Sequence, residues 1–398
     1  MVFNSLFASL VLALPVFSSA VLPRTTNGND KNPFLGKSFY ANSNYAKEVQ
    51  QSINAFLKKG DLANAARART IAETGTFYWL DTTAKVPTIS TIVEEGILSE
   101  ILHLQKTTFQ FVVYNLPDRD CSAASSAGEL SFANNGLNLY KNYIDQIAAQ
   151  IHRFPLETFA LIIEPDGLPN IVTNADPTTG VPKCIAAASG YKQAVAYAIS
   201  KLQAPNVALY LDAGHGGWLG WAGNLQPAAE LFAEVVGLAT KGSKIRGFSI
   251  NTSNYNTYNA SYQETFYNYD PSYTEDLYAN NLAPYLKNVS LPAHFVVDTG
   301  RDGKYGIRTD GSQWCNVKGA GFGIRPTTTT HDPLIDALVW VKPGGESDGT
   351  SNSSSPRFDP TCVDSAAFTP APEAGTWFEA YFESLLANAV PAIPESWI

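Results

Sequence analysis

The sequence is poor in positive charge. Lysine and arginine number 27 against 36 aspartates and glutamates, which leaves a formal charge of −9 at pH 7. Nucleic acids and anionic membrane surfaces both demand a basic patch, so neither is expected as a partner. Long apolar runs are missing as well: after the first residues, no stretch reaches the roughly 18 uninterrupted apolar positions of a membrane-spanning helix. Cysteine is scarce. Cys121, Cys184, Cys315 and Cys362 lie far apart with no CxxC pair, which argues against zinc and thioredoxin-type redox chemistry. There is no GxSxG elbow, no HExxH and no P-loop, and the five histidines are scattered. Gly319-Ala320-Gly321-Phe322-Gly323 lacks both the GxGxxG spacing and a preceding strand, and reads as ordinary loop. No metal or organic cofactor is called for.

What is present is a large amount of core-forming sequence. Of the 398 residues, 45% are hydrophobic and 12% aromatic, which suits one large α/β domain or two ordinary ones. The apolar segment 7–17, followed by Ser18-Ser19-Ala20, has the form of a secretory signal peptide over 1–20. A short disordered segment, 21–31, is expected next, and then one domain from 32 to 398. Secretion makes two disulfides the natural use of four cysteines. It also makes Asn251, Asn259, Asn288 and Asn352, each heading an N-x-S/T triplet, glycan acceptors wherever they are exposed.

Seven short runs of β-branched, aromatic and aliphatic residues read as buried strands, each ending in a polar residue. They are 77–80 before Asp81, 109–114 before Asn115, 161–163 before Glu164 and Asp166, 207–211 before Asp212, 247–250 before Asn251, 294–297 before Asp298 and 338–341 before Lys342. Helical periodicity fills the gaps. The clearest stripe is Leu137, Tyr140, Ile144, Ile147 and Ile151, and further helices are expected over 45–62, 185–202, 227–238 (Pro227 in the first turn), 275–286 and 376–389. Connections of this length suit right-handed βαβ crossovers, so the expectation is an α/β fold, seven parallel strands in a barrel or a strongly curled sheet, with all seven polar ends at one mouth. Two connections, 115–136 and 343–375, are longer than a crossover needs, and loops this long are usually functional or disordered. If Cys121 is bridged to Cys184 and Cys362 to Cys315, both loops are tied down.

Carboxylates gathered at one mouth, with aromatics between them and no nucleophile motif, favour general acid and base catalysis. Trp79, Trp218, Trp221 and Trp314 stand near strand ends or among glycines. Their flat apolar faces match pyranose rings, while Asp, Asn and Lys bind hydroxyls.

Four motifs then occur in order: Phe111-Val112-Val113-Tyr114-Asn115-Leu116-Pro117-Asp118-Arg119-Asp120-Cys121; Ile163-Glu164-Pro165-Asp166; Tyr210-Leu211-Asp212-Ala213-Gly214-His215 with Gly217-Trp218-Leu219-Gly220-Trp221; and Val339-Trp340-Val341-Lys342-Pro343-Gly344-Gly345-Glu346-Ser347-Asp348-Gly349. Together they resemble glycoside hydrolase family 6, and the likeness runs from residue 32 to the C-terminus. The resemblance implies an inverting cellulase, built on a distorted seven-stranded parallel β/α barrel with two long loops covering the active-site cleft, that acts on cellulose and cello-oligosaccharides as a secreted monomer. In it, Asp166 matches the general acid, and Asp120 matches the carboxylate that raises the acid's pKa and steadies oxocarbenium charge. Asp348 matches the proposed base, acting directly or through a second water near Ser126 and Asp120. Tyr114 matches a residue that distorts the sugar. Asp81, Arg119, Asp212, His215, Asn254, Lys342 and Glu346 match groups lining the cleft, His215 as a hydrogen-bonding residue and not a proton shuttle, and the four tryptophans match subsite platforms.

In such enzymes the two long loops roof the cleft in cellobiohydrolases and are shortened or pulled back in endoglucanases. Both are long here, which implies release of cellobiose from non-reducing ends. Ser347, Leu130 and Thr299 stand where cysteine, an aromatic and glutamine are frequent, so an endo-acting enzyme with a looser roof is the alternative. A catalytically silent glucan-binding protein is a further alternative, which the presence of both Asp166 and Asp120 disfavours. No carbohydrate-binding module accompanies the domain, which suggests a preference for soluble or amorphous chains.

Overall fold

The computed structural model describes residues 27–397. The signal peptide read over 1–20 lies outside them, as does the first part of the expected disordered segment. From Asn27 onward the chain is fixed: Asn29 is buried and its Oδ1 accepts Leu209 N–H at 2.8 Å, and Asn27 bonds Gln203. Residues 27–31 are therefore part of the packed domain.

The strands are β1 (Ser38–Phe39), β2 (Tyr78–Leu80), β3 (Thr107–Val113), β4 (Thr158–Ile163), β5 (Val207–Asp212), β6 (Gly247–Ile250), β7 (Phe295–Asp298) and β8 (Ile335–Val339). All pair in parallel, in the order β1-β3-β4-β5-β6-β7-β8, with β2 also on β3. Ser38 and Phe39 pair with Thr107 and Thr108, while Tyr78 to Leu80 pair with Phe111 to Val113. β1 and β2 thus lie end to end along one edge of β3 and together fill a single strand position. The sheet has the seven positions expected from the sequence, curled into an incomplete barrel. Two residues of β1 are too few to leave a pattern. No ladder joins β2 to β8; the seam is crossed by Phe77 N–H to Trp340 O at 3.1 Å and by Trp79 Nε1–H to Val341 O at 2.9 Å.

Alternation along the strands sorts the core into two layers, because successive side chains point to opposite faces. Val112, Ile162, Tyr210, Val296 and Val339 fill the barrel interior. Phe111, Leu161, Leu209 and Phe248 face outward and pack with the surrounding helices, where the stripe of helix Gly136–Ile151 buries Tyr140, Ile144, Ile147 and Ile151. A separate cluster gathers helices Ser43–Lys58, Leu62–Ala72 and Glu379–Ala387 around Trp340 and Phe322 beside the seam.

Some expectations need correction. The helix read over 45–62 ends at Lys58, since Gly60 has a left-handed φ of 74°, and Asp61 then caps a second, alanine-rich helix whose apolar positions form no clear stripe. The helix around Pro227 begins at Ala222, so the proline is interior and not in the first turn. Thr88–His103, between β2 and β3, was not anticipated. Both disulfides form as expected, Cys121–Cys184 and Cys315–Cys362. Among the described residues no helix is long and apolar enough to cross a membrane.

Candidate active site

The polar strand ends do converge, and most of them clamp neighbouring loops. Glu164, after β4, reaches back to the loop after β3, where its carboxylate accepts Asn115 N–H at 3.1 Å and Leu116 N–H at 3.2 Å. Asp212, ending β5, accepts the backbone N–H of Asp166 at 2.9 Å and of Gly214 at 3.1 Å. Asp298, ending β7, accepts Ser253 N–H at 3.0 Å from the loop after β6, and Val341 and Lys342 N–H at 3.1 Å from the end of β8. Each is buried, and each satisfies loop amides that would otherwise be stranded at the rim. Asp212, expected as a cleft-lining group, lies instead beneath Asp166 and holds it in place.

Six carboxylates do line the cavity, Glu48, Asp81, Asp120, Asp166, Glu346 and Asp348, of which Asp120, Asp166 and Asp348 are the expected catalytic ones. Asp166 occupies the N-cap position of helix Gly167–Asn174, yet its side chain makes no capping bond and is left free for other work. Burial first, then the nearby Asp212 and Asp120 carboxylates, holds its pKa well above the usual range. Asp120 is fixed at both oxygens: Tyr114 Oη donates to Oδ1 at 3.0 Å and Ser126 N–H to Oδ2 at 2.8 Å. Tyr114 lies between the Arg119 guanidinium, 4.3 Å from its ring centroid, and Trp79, edge-on at 5.1 Å. Arg119 itself is buried and spends its donors on the carbonyls of Asp81, Tyr114 and Ser126. It braces the loop that carries Asp120.

Asp348 does not pair with Lys342 or Arg357. Its partner is Arg301, buried to 1% exposure, whose Nη1 lies 2.7 and 2.8 Å from the two carboxylate oxygens. Tyr255 Oη and Asn316 N–H also donate to its Oδ2, at 2.7 and 2.8 Å. Nothing in the Thr-Gly-Arg-Asp context after β7 singled out Arg301 beforehand.

His215 accepts a bond from the Asn256 amide at Nδ1, 3.1 Å away. The amide orientation is set by Tyr267 Oη and Arg308, which both donate to its Oδ1. The imidazole is therefore the Nε2–H tautomer, and burial together with Arg308 pulls its pKa down to about 3. The ring is neutral near pH 7 and keeps Nε2–H as a donor. Lys342 lies 3.5 Å from Glu346. Opposite Glu346 stands Glu48, a cavity-lining residue that no motif marks within its ordinary amphipathic helix; burial and Glu346 raise it to about 8.

The cavity measures about 820 Å³ and is lined by Trp79, Asp81, Tyr114, Ser126, His215, Trp218, Asn254, Trp314, Lys342 and Glu346 among others. Trp221, expected as a platform, is not among the lining residues: it precedes helix Ala222–Leu238, and its indole N–H bonds Gly217 O. The glycine-rich stretch before it is not loop, since Gly216–Leu219 forms a helical turn that carries Trp218. Overhead, the two long loops meet. Arg357 Nε donates to Ser125 O at 2.9 Å, and Ala124 N–H donates to Asp359 Oδ2 at 3.2 Å. Residues of both loops, Ser122, Ala123 and Ser126 on one side and Arg357 and Thr361 on the other, line the same cavity.

A family model described as "Glycosyl hydrolases family 6" matches residues 34–389. Exoglucanase 3 of Agaricus bisporus is 51% identical over 365 residues, 91% of this chain and 80% of that protein. Among solved structures, a glycoside hydrolase family 6 enzyme of Coprinopsis cinerea is 43% identical with a TM-score of 0.89, covering 92% of this chain and 100% of that one. Cellobiohydrolase II of Humicola insolens, in complex with glucose and cellotetraose, is 44% identical with a TM-score of 0.87, covering 91% and 100%.

Proposed function

This chain belongs to glycosyl hydrolases family 6, and from that premise we propose that it hydrolyses β-1,4-glucosidic bonds of cellulose with inversion, outside the cell and as a monomer, releasing cellobiose from non-reducing chain ends. The observation that carries the exo assignment is the closed roof. With Arg357 bonded to Ser125 and Asp359 to Ala124 above the cavity, a polymer cannot drop in from the side and must thread by an end.

In this reading Asp166 protonates the departing glycosidic oxygen. Its raised pKa keeps a proton available at working pH, as a general acid requires. Asp120, held by Tyr114 and Ser126, places negative charge beside the developing oxocarbenium ion. Water attacks from the opposite face, as inversion requires. Three donors already hold Asp348, so it takes up the attacking water's proton at a remove: that proton passes to a second water near Ser126 and Asp120, and the second water's own proton goes to the Asp348 carboxylate. Trp79, Trp218 and Trp314 stack on glucose rings, while Asp81, His215, Asn254, Lys342 and Glu346 take hydroxyls.

Hydrolysis of cellotetraose with the product anomer read by NMR tests the core of this reading. Asp166→Asn should cut turnover by roughly 100- to 10,000-fold, and the wild type should release the α-anomer first. Unchanged turnover in the variant overturns the acid assignment. On carboxymethylcellulose, reducing ends should accumulate with little loss of viscosity; a rapid viscosity drop overturns the exo assignment.

A further inference from the structure

Between β6 and helix Glu275–Asn288 runs a segment whose composition differs from the rest of the surface. Residues 259–274 include Tyr262, Phe266, Tyr267, Tyr269 and Tyr273 but only two charged residues, Glu264 and Asp270, and both are buried. In a protein of net charge −9, this leaves an outer face that is aromatic and uncharged. Tyr267 anchors the segment: it is buried, donates to Asn256 Oδ1 and lies 3.0 Å from Arg308 Nη2. Further bonds fix the backbone, from Gln263 Nε2 to Asp270 O at 3.1 Å, from Glu264 N–H to Tyr305 Oη at 3.1 Å and from Ser272 N–H to Asp270 Oδ1 at 2.8 Å.

On this held backbone the rings at the tip face water. Tyr262 is 56% exposed and rests against Tyr305 with centroids 5.0 Å apart. Tyr269 is 96% exposed and has a left-handed φ of 72°, a conformation that costs a bulky residue energy and here recovers no burial. The patch adjoins the catalytic cavity: a methyl group on Gly311 would lie 3.7 Å from the Phe266 ring and 3.6 Å from Tyr267, and Gly311, Ser312 and Trp314 line the cavity.

We propose that this segment, through Tyr262, Tyr269 and the adjoining Phe266, is an accessory anchor for the surface of insoluble β-1,4-glucan at the rim of the cavity. The proposal rests on the hydrolase reading above and extends it from the single chain in the cavity to the solid from which that chain is drawn. An uncharged polysaccharide with apolar ring faces is the partner such a surface fits, since exposed aromatic rings stack on pyranose faces and no charge needs to be desolvated. The fixed backbone means that little ordering is lost on binding. It also assigns to the catalytic domain itself the adsorption otherwise expected of an attached binding module.

The test pairs adsorption with soluble turnover. In an Asp166→Asn background, which blocks digestion, adding Tyr262→Ala and Tyr269→Ala should lower the partition coefficient on microcrystalline cellulose roughly tenfold, as expected for two stacking contacts. With Asp166 intact, the same pair of changes should leave kcat/KM on cellotetraose unchanged and lower the rate on the solid. Adsorption equal to the parent overturns the proposal, and so does a parallel loss on cellotetraose, which would make the segment part of the cavity. A wild type unable to cleave cellotetraose at all would instead bring down the hydrolase reading beneath it.

Discussion

Four acidic residues at the mouth, Asp118, Asp120, Glu164 and Asp166, have left-handed φ angles of 54°, 56°, 51° and 65°. Each such backbone costs on the order of 1 kcal/mol, and charged hydrogen bonds from neighbouring loops offset it. Glu164 shows what the bonds do, because removing its carboxylate strands the Asn115 and Leu116 amides under the Asp120 loop. Glu164→Ala should lower stability by about 2–4 kcal/mol in denaturant titration and reduce turnover with it. For Asp120→Asn the sign follows from charge: the Asp120 carboxylate helps raise the pKa of Asp166, so neutralising it lets Asp166 ionise earlier. The alkaline limb of the kcat–pH profile should move to lower pH, and a limb that stays in place contradicts the coupling. Asp166, Asp120 and Asp348 were legible because their motifs are long and specific. Glu164, Asp212 and Asp298 share the same strand-end signature, and whether such a carboxylate faces the cavity or the next loop is decided by tertiary placement. Trp221 illustrates the same limit, since a helix start turns it from the cavity that Trp218 enters.

The elements most directly tied to function are the two roof loops. Their tethers are the disulfides, which close separations of 63 and 47 residues, and the Arg357 and Asp359 bonds that join one loop to the other. Arg357→Ala removes the stronger cross-roof contact while both disulfides remain. The variant should stay folded and lose viscosity of carboxymethylcellulose several times faster per bond cleaved; viscometry against reducing-end release reads this out, and a ratio equal to wild type contradicts the latch. Strand positions were readable because buried parallel strands are continuous apolar runs. Helix Leu62–Ala72 was not, since alanines packed at a close helix–helix contact look the same as alanines facing water. The contact between the loops was likewise invisible, because it joins Ser125 to Arg357 across 232 positions of sequence.

At the scale of the whole molecule, the buried acids set how stability depends on pH. Burial raises Glu164 and Asp212 to about 7 and Glu275 and Asp302 to about 8. Between the ordinary carboxyl range near 4 and these values, the folded chain keeps protons that the unfolded chain has released, so stability falls as pH rises. Thermal melts should give a higher Tm at pH 5 than at pH 8; a Tm that rises toward pH 8 contradicts the assignment. Modification is also a matter for the whole surface. Asn259, Asn288 and Asn352 are exposed, whereas Asn251 is fully buried and its amide donates to Asn256 O and Asp298 O. Peptide mapping after enzymatic deglycosylation of protein produced in a glycosylating secretory host should find Asn251 unmodified, and a glycan there would be incompatible with this packing. The seam between β2 and β8 bears on what kind of substrate the molecule can take. A fully laddered ring would end in a round pit suited to a compact metabolite, whereas here residues on both banks of the gap, Trp79 on one and Lys342 and Pro343 on the other, border a single trough. A cavity bordered from both banks offers wall along the run of an extended chain, which suits consecutive sugars of one glucan better than a compact metabolite.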